Sequence, residues 1–290
     1  MARLPSESIA ALVLWVEFMS VFTPSDTRSS RPAPQSLRFA THISGASGHD
    51  LHIEGLWRPV INLAEGALRG HVLHVEVRQA VDAISTRPTD LLALNAVDQE
   101  RIDIAAAEHG FSILAPCPAT EAPPLTFVPV TWSSARSPRA RRRLLQIAGK
   151  AQARLRILPV CEIHGLDPGT PPSAVREAAG ALQPIFRGVL AKVPPKGGRV
   201  AALVDCGRTG AAVEAGDLAE SRDYDSMLRT VLFLQRMGPG VMLHSLRSVA
   251  ALTAARAAGA RWASLDVVRS GWHVANAALE ALSEPAASAL

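Results

Sequence analysis

The chain has 290 residues, of which 48% are hydrophobic, 19% are charged and only 4% are aromatic. This apolar content excludes wholesale disorder, and the length fits either one large α/β domain or two smaller ones. The formal charge of +4 is mild and mostly due to arginine, so nucleic-acid binding is not expected from the composition.

The cysteines and the apolar runs give a prediction of compartment. Cys117, Cys161 and Cys206 are widely spaced and form no CxxC motif, which indicates neither a disulfide framework nor a zinc site and favours a reducing cytoplasm. No run reaches the roughly 20 apolar residues of a membrane helix, because charges such as Glu17 interrupt each one. We therefore expect a cytoplasmic protein without a membrane span.

The beginning of the chain is predicted to form a helix, a linker and a β-hairpin. Apolar residues at helical spacing predict a helix over residues 1–22, and a Pro, Ser, Thr and Arg composition predicts a linker over 23–34. Residues 51–63 and 68–77 alternate between apolar and polar and are separated by a turn at 64–66. This pattern is typical of two antiparallel strands.

Helical and extended patterns alternate through the rest of the chain. Helices are predicted at 91–109, 141–153, 172–193, 226–237 and 248–258, and extended segments at 126–132, 155–163, 200–205, 241–246 and 262–268. This alternation indicates a parallel sheet, and about seven to eight strands favour a closed, TIM-like (β/α)8-type barrel in the α/β class. The predicted domains are a helix and linker at 1–38, a barrel at 39–275 and a tail at 276–290.

Ordered motifs then relate the chain to a known family. Pro59, Leu63, Gly66 and Gly70 have the spacing of the strand, turn and second strand that open EAL domains, the cyclic di-GMP phosphodiesterase family. Segments 127–133, 158–163, 203–207 and 259–268 are similar, in order, to the family's VNVS-like, LEITE-like and LDDFG strands and its last helix-to-strand passage. The resemblance covers residues 39–272 and implies a bacterial signalling domain with a (β/α)8-type barrel. The motif of the family's sixth strand is not recognisable between residues 210 and 240, so the expected barrel includes the possibility of one degenerate strand-helix unit.

The family's chemistry implies divalent metals held by carboxylates and an Asn at strand ends. Most of the corresponding positions have lost their ligands. Val72 stands at the position of the Glu of the Glu-Ala-Leu triplet, and Pro129 or Thr131 stands at the position of the Asn. Val204 stands at the position of the first Asp of LDDFG, and residues 242–245 take the place of the AEGVE segment. Glu162 and Asp205 are the carboxylates that still match, as vestigial metal ligands. Because apolar side chains cannot bind Mg²⁺ or Mn²⁺, we expect no metal cofactor and no phosphodiesterase activity.

The leading hypothesis is a catalytically inactive EAL-like domain that binds cyclic di-GMP or a protein in signalling. Its ligand-binding candidates are Arg58, Glu162, Asp205 and Arg208, the last in a glycine-containing turn suited to phosphate contacts. A protein partner or a homodimer is also expected.

Two alternatives stay open at this point. One is a residual phosphodiesterase with a rearranged Mg²⁺ or Mn²⁺ site built on Glu162 and Asp205. The other is a binder of an acidic protein or RNA through residues 136–156, which include eight Arg or Lys residues and no acidic residue.

Overall fold

A computed structural model describes residues 37–46, 48–80, 86–167, 169–193, 209–215, 224–235 and 240–266. The predicted N-terminal helix at 1–22, the linker at 23–34, the extended segment at 200–205 and the tail at 276–290 lie outside the described residues. No helix in the described ranges is long and apolar enough to cross a membrane.

The described chain alternates between strands and helices over most of its length. The strands are β1 (Arg38–Ser44), β2 (Asp50–Asn62), β3 (Ala67–Ala80), β4 (Thr86–Thr89), β5 (Leu125–Thr131), β6 (Leu158–His164), β7 (Gly188–Val193), β8 (Thr209–Glu214), β9 (Val241–Leu246) and β10 (Trp262–Leu265). The helices are α1 (Ala96–Ser112), α2 (Trp132–Arg136), α3 (Pro138–Leu155), α4 (Pro172–Leu182), α5 (Tyr224–Gln235) and α6 (Val249–Ala257), with a short 3₁₀ turn at Leu91–Ala93.

Eight of these strands close into a barrel, which confirms the predicted TIM-like architecture. The order around the barrel is β2, β10, β9, β8, β7, β6, β5 and β3, and β3 pairs with β2 to close it. Strand β2 runs antiparallel to both of its barrel neighbours, whereas the other barrel strands pair in parallel. Strands β1 and β4 extend the sheet outside the barrel by pairing with β2 and β3.

Side chains from successive barrel strands form one apolar layer inside the barrel. The members of this layer are Val60, Val72, Phe127, Val160, Leu190, Ala212 and Met242, with Trp262 packed against them. A larger apolar core lies on the other side of the sheet, between the strands and the helices. The parallel strands β5 to β9 are therefore covered on both faces, which explains why their sequences lack the alternating pattern of β2 and β3.

Local sequence fixes the ends of several elements. Gly66 has a φ of 64° in the turn between β2 and β3, a conformation that glycine adopts without steric cost. A Cβ atom at Gly70 would lie 1.9 Å from the Leu125 carbonyl oxygen, so β3 approaches β5 closely only with glycine there. The Ser137 side chain accepts a hydrogen bond from Ala140 N, and Pro138 begins α3.

Two sequence predictions about the middle of the barrel are wrong. The helix predicted over 172–193 ends at Leu182, because Pro184 cannot continue it, and the chain re-enters the barrel as β7. Strand β7, rather than the LDDFG-like segment at 203–207, therefore follows β6 in the barrel. The sixth barrel strand, which the sequence motifs did not reveal, is β8, so no strand is missing.

Candidate functional site

A cavity of about 370 Å³ opens at the end of the barrel where the parallel strands terminate. In barrel folds this end carries the loops and strand ends that form ligand sites. Its polar lining comes from most barrel strands and includes Arg58, His74, Glu76, Glu162, His164, Lys192, Glu214, His244, Ser245 and Ser264. Residues of β4 and the 3₁₀ turn, among them Pro88 and Leu92, close one side.

Glu162 on β6 is the central carboxylate of this site. Its side chain is only 2% exposed, and each of its oxygens contacts an imidazole: Oε1 lies 2.6 Å from His164 Nε2, and Oε2 lies 2.7 Å from His244 Nε2. Burial raises the pKa of Glu162, but the attraction of His244 and hydrogen bonds from both imidazoles hold it well below its usual value. Glu162 is therefore an ionised carboxylate whose two oxygens both have partners.

A hydrogen-bond network connects this carboxylate to strands β9 and β10. His244 Nδ1 lies 3.1 Å from Ser264 Oγ, and Ser245 N donates to the same hydroxyl at 3.2 Å. Ser264 and His244 are both buried. The network ties β6, β9 and β10 together beneath the cavity.

Arg58 on β2 is a buried cation at the same end of the barrel. Its side chain is 10% exposed, and Nη1 donates to Ser245 Oγ at 3.2 Å. Nη2 lies 3.7 Å from Asp266 Oδ1, while Arg247 Nε approaches the other carboxylate oxygen of Asp266 at 3.4 Å. Strand β2 thus supplies a guanidinium that is fixed by β9 and by the end of β10.

A second group of charges lies nearer the solvent. Lys192 Nζ is 3.4 Å from Glu214 Oε2 across strands β7 and β8, and these side chains are 30% and 41% exposed. Burial raises the pKa of Glu214, but Lys192 and a hydrogen bond with Ser245 lower it below its usual value. His74 and Glu76 on β3 are 3.4 Å apart at the cavity wall.

The structure brings together two of the four predicted ligand residues. Arg58 and Glu162 both line the cavity, whereas Asp205 and Arg208 lie outside the described residues. Val72, at the position of the family's first glutamate, also lines the cavity, so the two positions Val72 and Glu162 do converge at one barrel mouth.

Several site residues were not predicted as ligands. They are His164, Lys192, Glu214 and Ser264, together with His244 and Ser245, which belong to the segment that departs from the AEGVE motif. Each stands at or near the end of an apolar strand, and a polar residue in that place is the signal that could have identified it.

The described donors do not fit a Mg²⁺ or Mn²⁺ site. Over the ranges that the structure describes, no three His, Cys, Asp or Glu side chains are arranged to hold a metal ion. Both oxygens of Glu162 contact imidazoles, and hard divalent cations need several free oxygen ligands.

The arginine-rich segment lies on the outer helix α3, away from the cavity. Leu144, Ala148 and Ala151 of this helix are buried against the barrel. Arg143 forms an ion pair with Glu108 of α1, and Arg154 donates to the Phe111 carbonyl at 2.8 Å. These two arginines hold α3 against α1, so part of the basic stretch has a structural role.

Comparison with known proteins shows the fold. No family model matches the sequence, and no curated protein matches it. The structure is similar to the FimX EAL domain from Pseudomonas aeruginosa bound to c-di-GMP, with 16% identity, a TM-score of 0.50 and coverage of 73% of this chain and 88% of that chain. It is also similar to a standalone EAL protein from Vibrio cholerae O395 in its c-di-GMP-bound form, with 12% identity, a TM-score of 0.51 and coverage of 72% and 87%. Vibrio cholerae LapD, as an S helix-GGDEF-EAL structure bound to c-di-GMP, matches with 11% identity and a TM-score of 0.53 over 74% of this chain and 53% of that chain. The chain has an EAL-like fold.

Proposed function

We propose that this EAL-like barrel is a signalling module that binds cyclic di-GMP at the barrel mouth without hydrolysing it. The observation that carries the proposal is the state of Glu162, whose two oxygens are held by His164 and His244. A carboxylate in that arrangement organises the floor of a binding site, and it has no free oxygen for a metal ion.

Cationic side chains in the cavity lining supply contacts for an anionic ligand. The lining holds Arg58, Arg78 and Lys192 beside the carboxylates of Glu76, Asp90, Glu162 and Glu214, and the Arg58 guanidinium already donates a hydrogen bond to Ser245. A guanidinium binds a phosphate through paired N–H donors, and a buried one does so with less competition from water. The likeness to EAL structures with bound cyclic di-GMP supports this ligand, which carries two phosphates.

The donor set of the described residues supports the proposal that the dinucleotide is not hydrolysed. Metal-dependent hydrolysis of a phosphodiester requires cations that activate water and neutralise the charge that builds on the phosphate. The described residues offer no group of three donors for such a cation. A residual phosphodiesterase would need to recruit ligands beyond these residues, Asp205 included.

Titration calorimetry with cyclic di-GMP tests the proposal, first in EDTA and then in Mn²⁺. We expect the wild-type chain to bind with the same affinity in both buffers. We expect Arg58→Ala to bind at least about tenfold more weakly than the wild type, because that change removes a charge-assisted contact. Arg69→Ala is the matched control, since Arg69 pairs with Glu65 at the hairpin turn and does not line the cavity.

Chromatography of the nucleotide after incubation in Mn²⁺ separates the remaining functions. We expect intact cyclic di-GMP. Steady conversion to a linear dinucleotide that Glu162→Gln abolishes would establish the residual phosphodiesterase instead. An absence of binding in every buffer would leave a protein partner or a second copy of the chain as the ligand of this fold.

A further inference from the structure

Ser245 has a backbone conformation that its position in a strand does not explain. Its φ is 61°, in the left-handed region that residues with a side chain adopt at a cost. Arg156, the other non-glycine residue with positive φ in the described ranges, caps the end of α3, where this conformation is common. Ser245 instead lies within β9 and is 7% exposed.

The strained residue coincides with an irregularity in strand pairing. Ala263 pairs with Leu243, but Leu265 pairs with Leu246, so β9 has one extra residue in this interval. A bulge of this kind changes the direction of the side chains beside it, and bulges are frequent next to binding sites. A strained backbone conformation of this kind persists when contacts with the surrounding structure hold it in place, and such residues cluster at functional sites.

The conformation lets one hydroxyl contact two charged groups. Ser245 Oγ accepts a hydrogen bond from Arg58 Nη1 at 3.2 Å, and the Ser245 side chain also hydrogen-bonds the Glu214 carboxylate. The Ser245 backbone N–H is meanwhile donated to Ser264 Oγ at 3.2 Å. A single residue therefore links β2, β8 and β10 around the cavity.

We propose that Ser245 is a positioning residue, whose left-handed backbone places its hydroxyl so that Arg58 is fixed for contact with a phosphate of the ligand. The inference rests on the proposed function, because it assigns Arg58 to the ligand. Asp266 also contacts Arg58, with its Oδ1 3.7 Å from Nη2, and its other oxygen lies 3.4 Å from Arg247 Nε. A guanidinium fixed in advance loses less conformational freedom when it binds a phosphate.

Two substitutions separate the hydroxyl from the backbone strain. Ser245→Gly removes the hydroxyl and also the strain, because glycine adopts positive φ freely, whereas Ser245→Ala removes the hydroxyl and keeps the strain. We expect both variants to bind cyclic di-GMP about tenfold more weakly than the wild-type chain. We expect Ser245→Ala to melt lower than Ser245→Gly, because both variants lose the hydroxyl and only the alanine variant keeps the strain.

Nitrogen-15 NMR of the arginine side chains in the free protein provides a readout that needs no ligand. We expect slow exchange and restricted rotation for the Arg58 guanidinium in the wild type, and faster exchange in Ser245→Gly, with Arg69 unchanged in both. Wild-type affinity in Ser245→Gly, or an Arg58 signal that does not change, would overturn the inference. The wild-type chain could bind no cyclic di-GMP while the Arg58 guanidinium still exchanges faster in Ser245→Gly than in the wild type. That result would overturn the proposed function and leave the positioning role standing.

Discussion

His244→Ala should cost a large part of the free energy of unfolding, because it removes one of the two imidazoles that hold Glu162. The carboxylate is 2% exposed and the His244 side chain 6% exposed, and their nitrogen and oxygen are 2.7 Å apart. A hydrogen bond to a charged group contributes about 1.5 to 3 kcal/mol to stability. Because Glu162 is only 2% exposed, water would not replace His244 at Oε2, and we expect about 3 kcal/mol, at the upper end of that range.

Urea unfolding, followed by the fluorescence of the five tryptophans, measures this loss. His42→Ala is the control, because His42 lies on the exposed face of β1, and it should change the free energy by about 0.5 kcal/mol or less. The pH dependence of the free energy of unfolding gives a second check on the role of His244. Glu162 has a lowered pKa in the folded chain, so its stabilisation is present above its unfolded value of 4.5 and is lost as the pH falls further.

The difference in the free energy of unfolding between the wild type and His244→Ala should therefore have its full value at pH 7 and should become smaller below pH 4.5. A loss below about 1 kcal/mol at pH 7, or a loss that stays constant from pH 7 to pH 3, would refute the reasoning, because neither result fits an ionised carboxylate that depends on the imidazole.

Three further predictions concern the barrel itself. Burial raises the pKa of Asp103 from 3.8 to about 6, so the contribution of Asp103 to stability should fall by about 3 kcal/mol as the pH rises through that interval, and in urea unfolding at each pH the difference between Asp103→Asn and the wild type should change by that amount. Gly70→Ala should cost about 3 kcal/mol or more, because its Cβ would meet the Leu125 carbonyl at 1.9 Å, and an unchanged urea midpoint would contradict that contact. Gly180→Ala in α4 has no atom within 4 Å of the new Cβ and should raise the melting temperature, with a gain of about 0.5 to 1 kcal/mol.

The barrel could be predicted because its signals are local in sequence. Residues 51–77 alternate with period two around a turn, and later apolar runs alternate with helical patterns, so strand and helix positions follow from neighbouring residues. Strand β8 was missed because Gly210, Ala211 and Ala212 have low strand propensity, and β7 was assigned to a helix because Pro184 was not recognised as its end.

The site could be predicted only in part because its contacts join distant residues. Glu162 and Arg58 were identified from the motifs, yet His244, one of the two partners of Glu162, lies 82 residues away, and Arg58 meets Ser245 across 187 residues. No pattern of spacing encodes such pairs. Ser245 in particular looks like an ordinary strand residue, and only its backbone angle and its contacts distinguish it.

The central claim is that the barrel mouth binds cyclic di-GMP without a divalent metal. Calorimetric titration of the full chain in EDTA tests it most directly. We expect saturable binding in EDTA that Mn²⁺ does not strengthen and that Arg58→Ala weakens about tenfold. Binding that appears only in Mn²⁺ and is accompanied by turnover of the dinucleotide would contradict it.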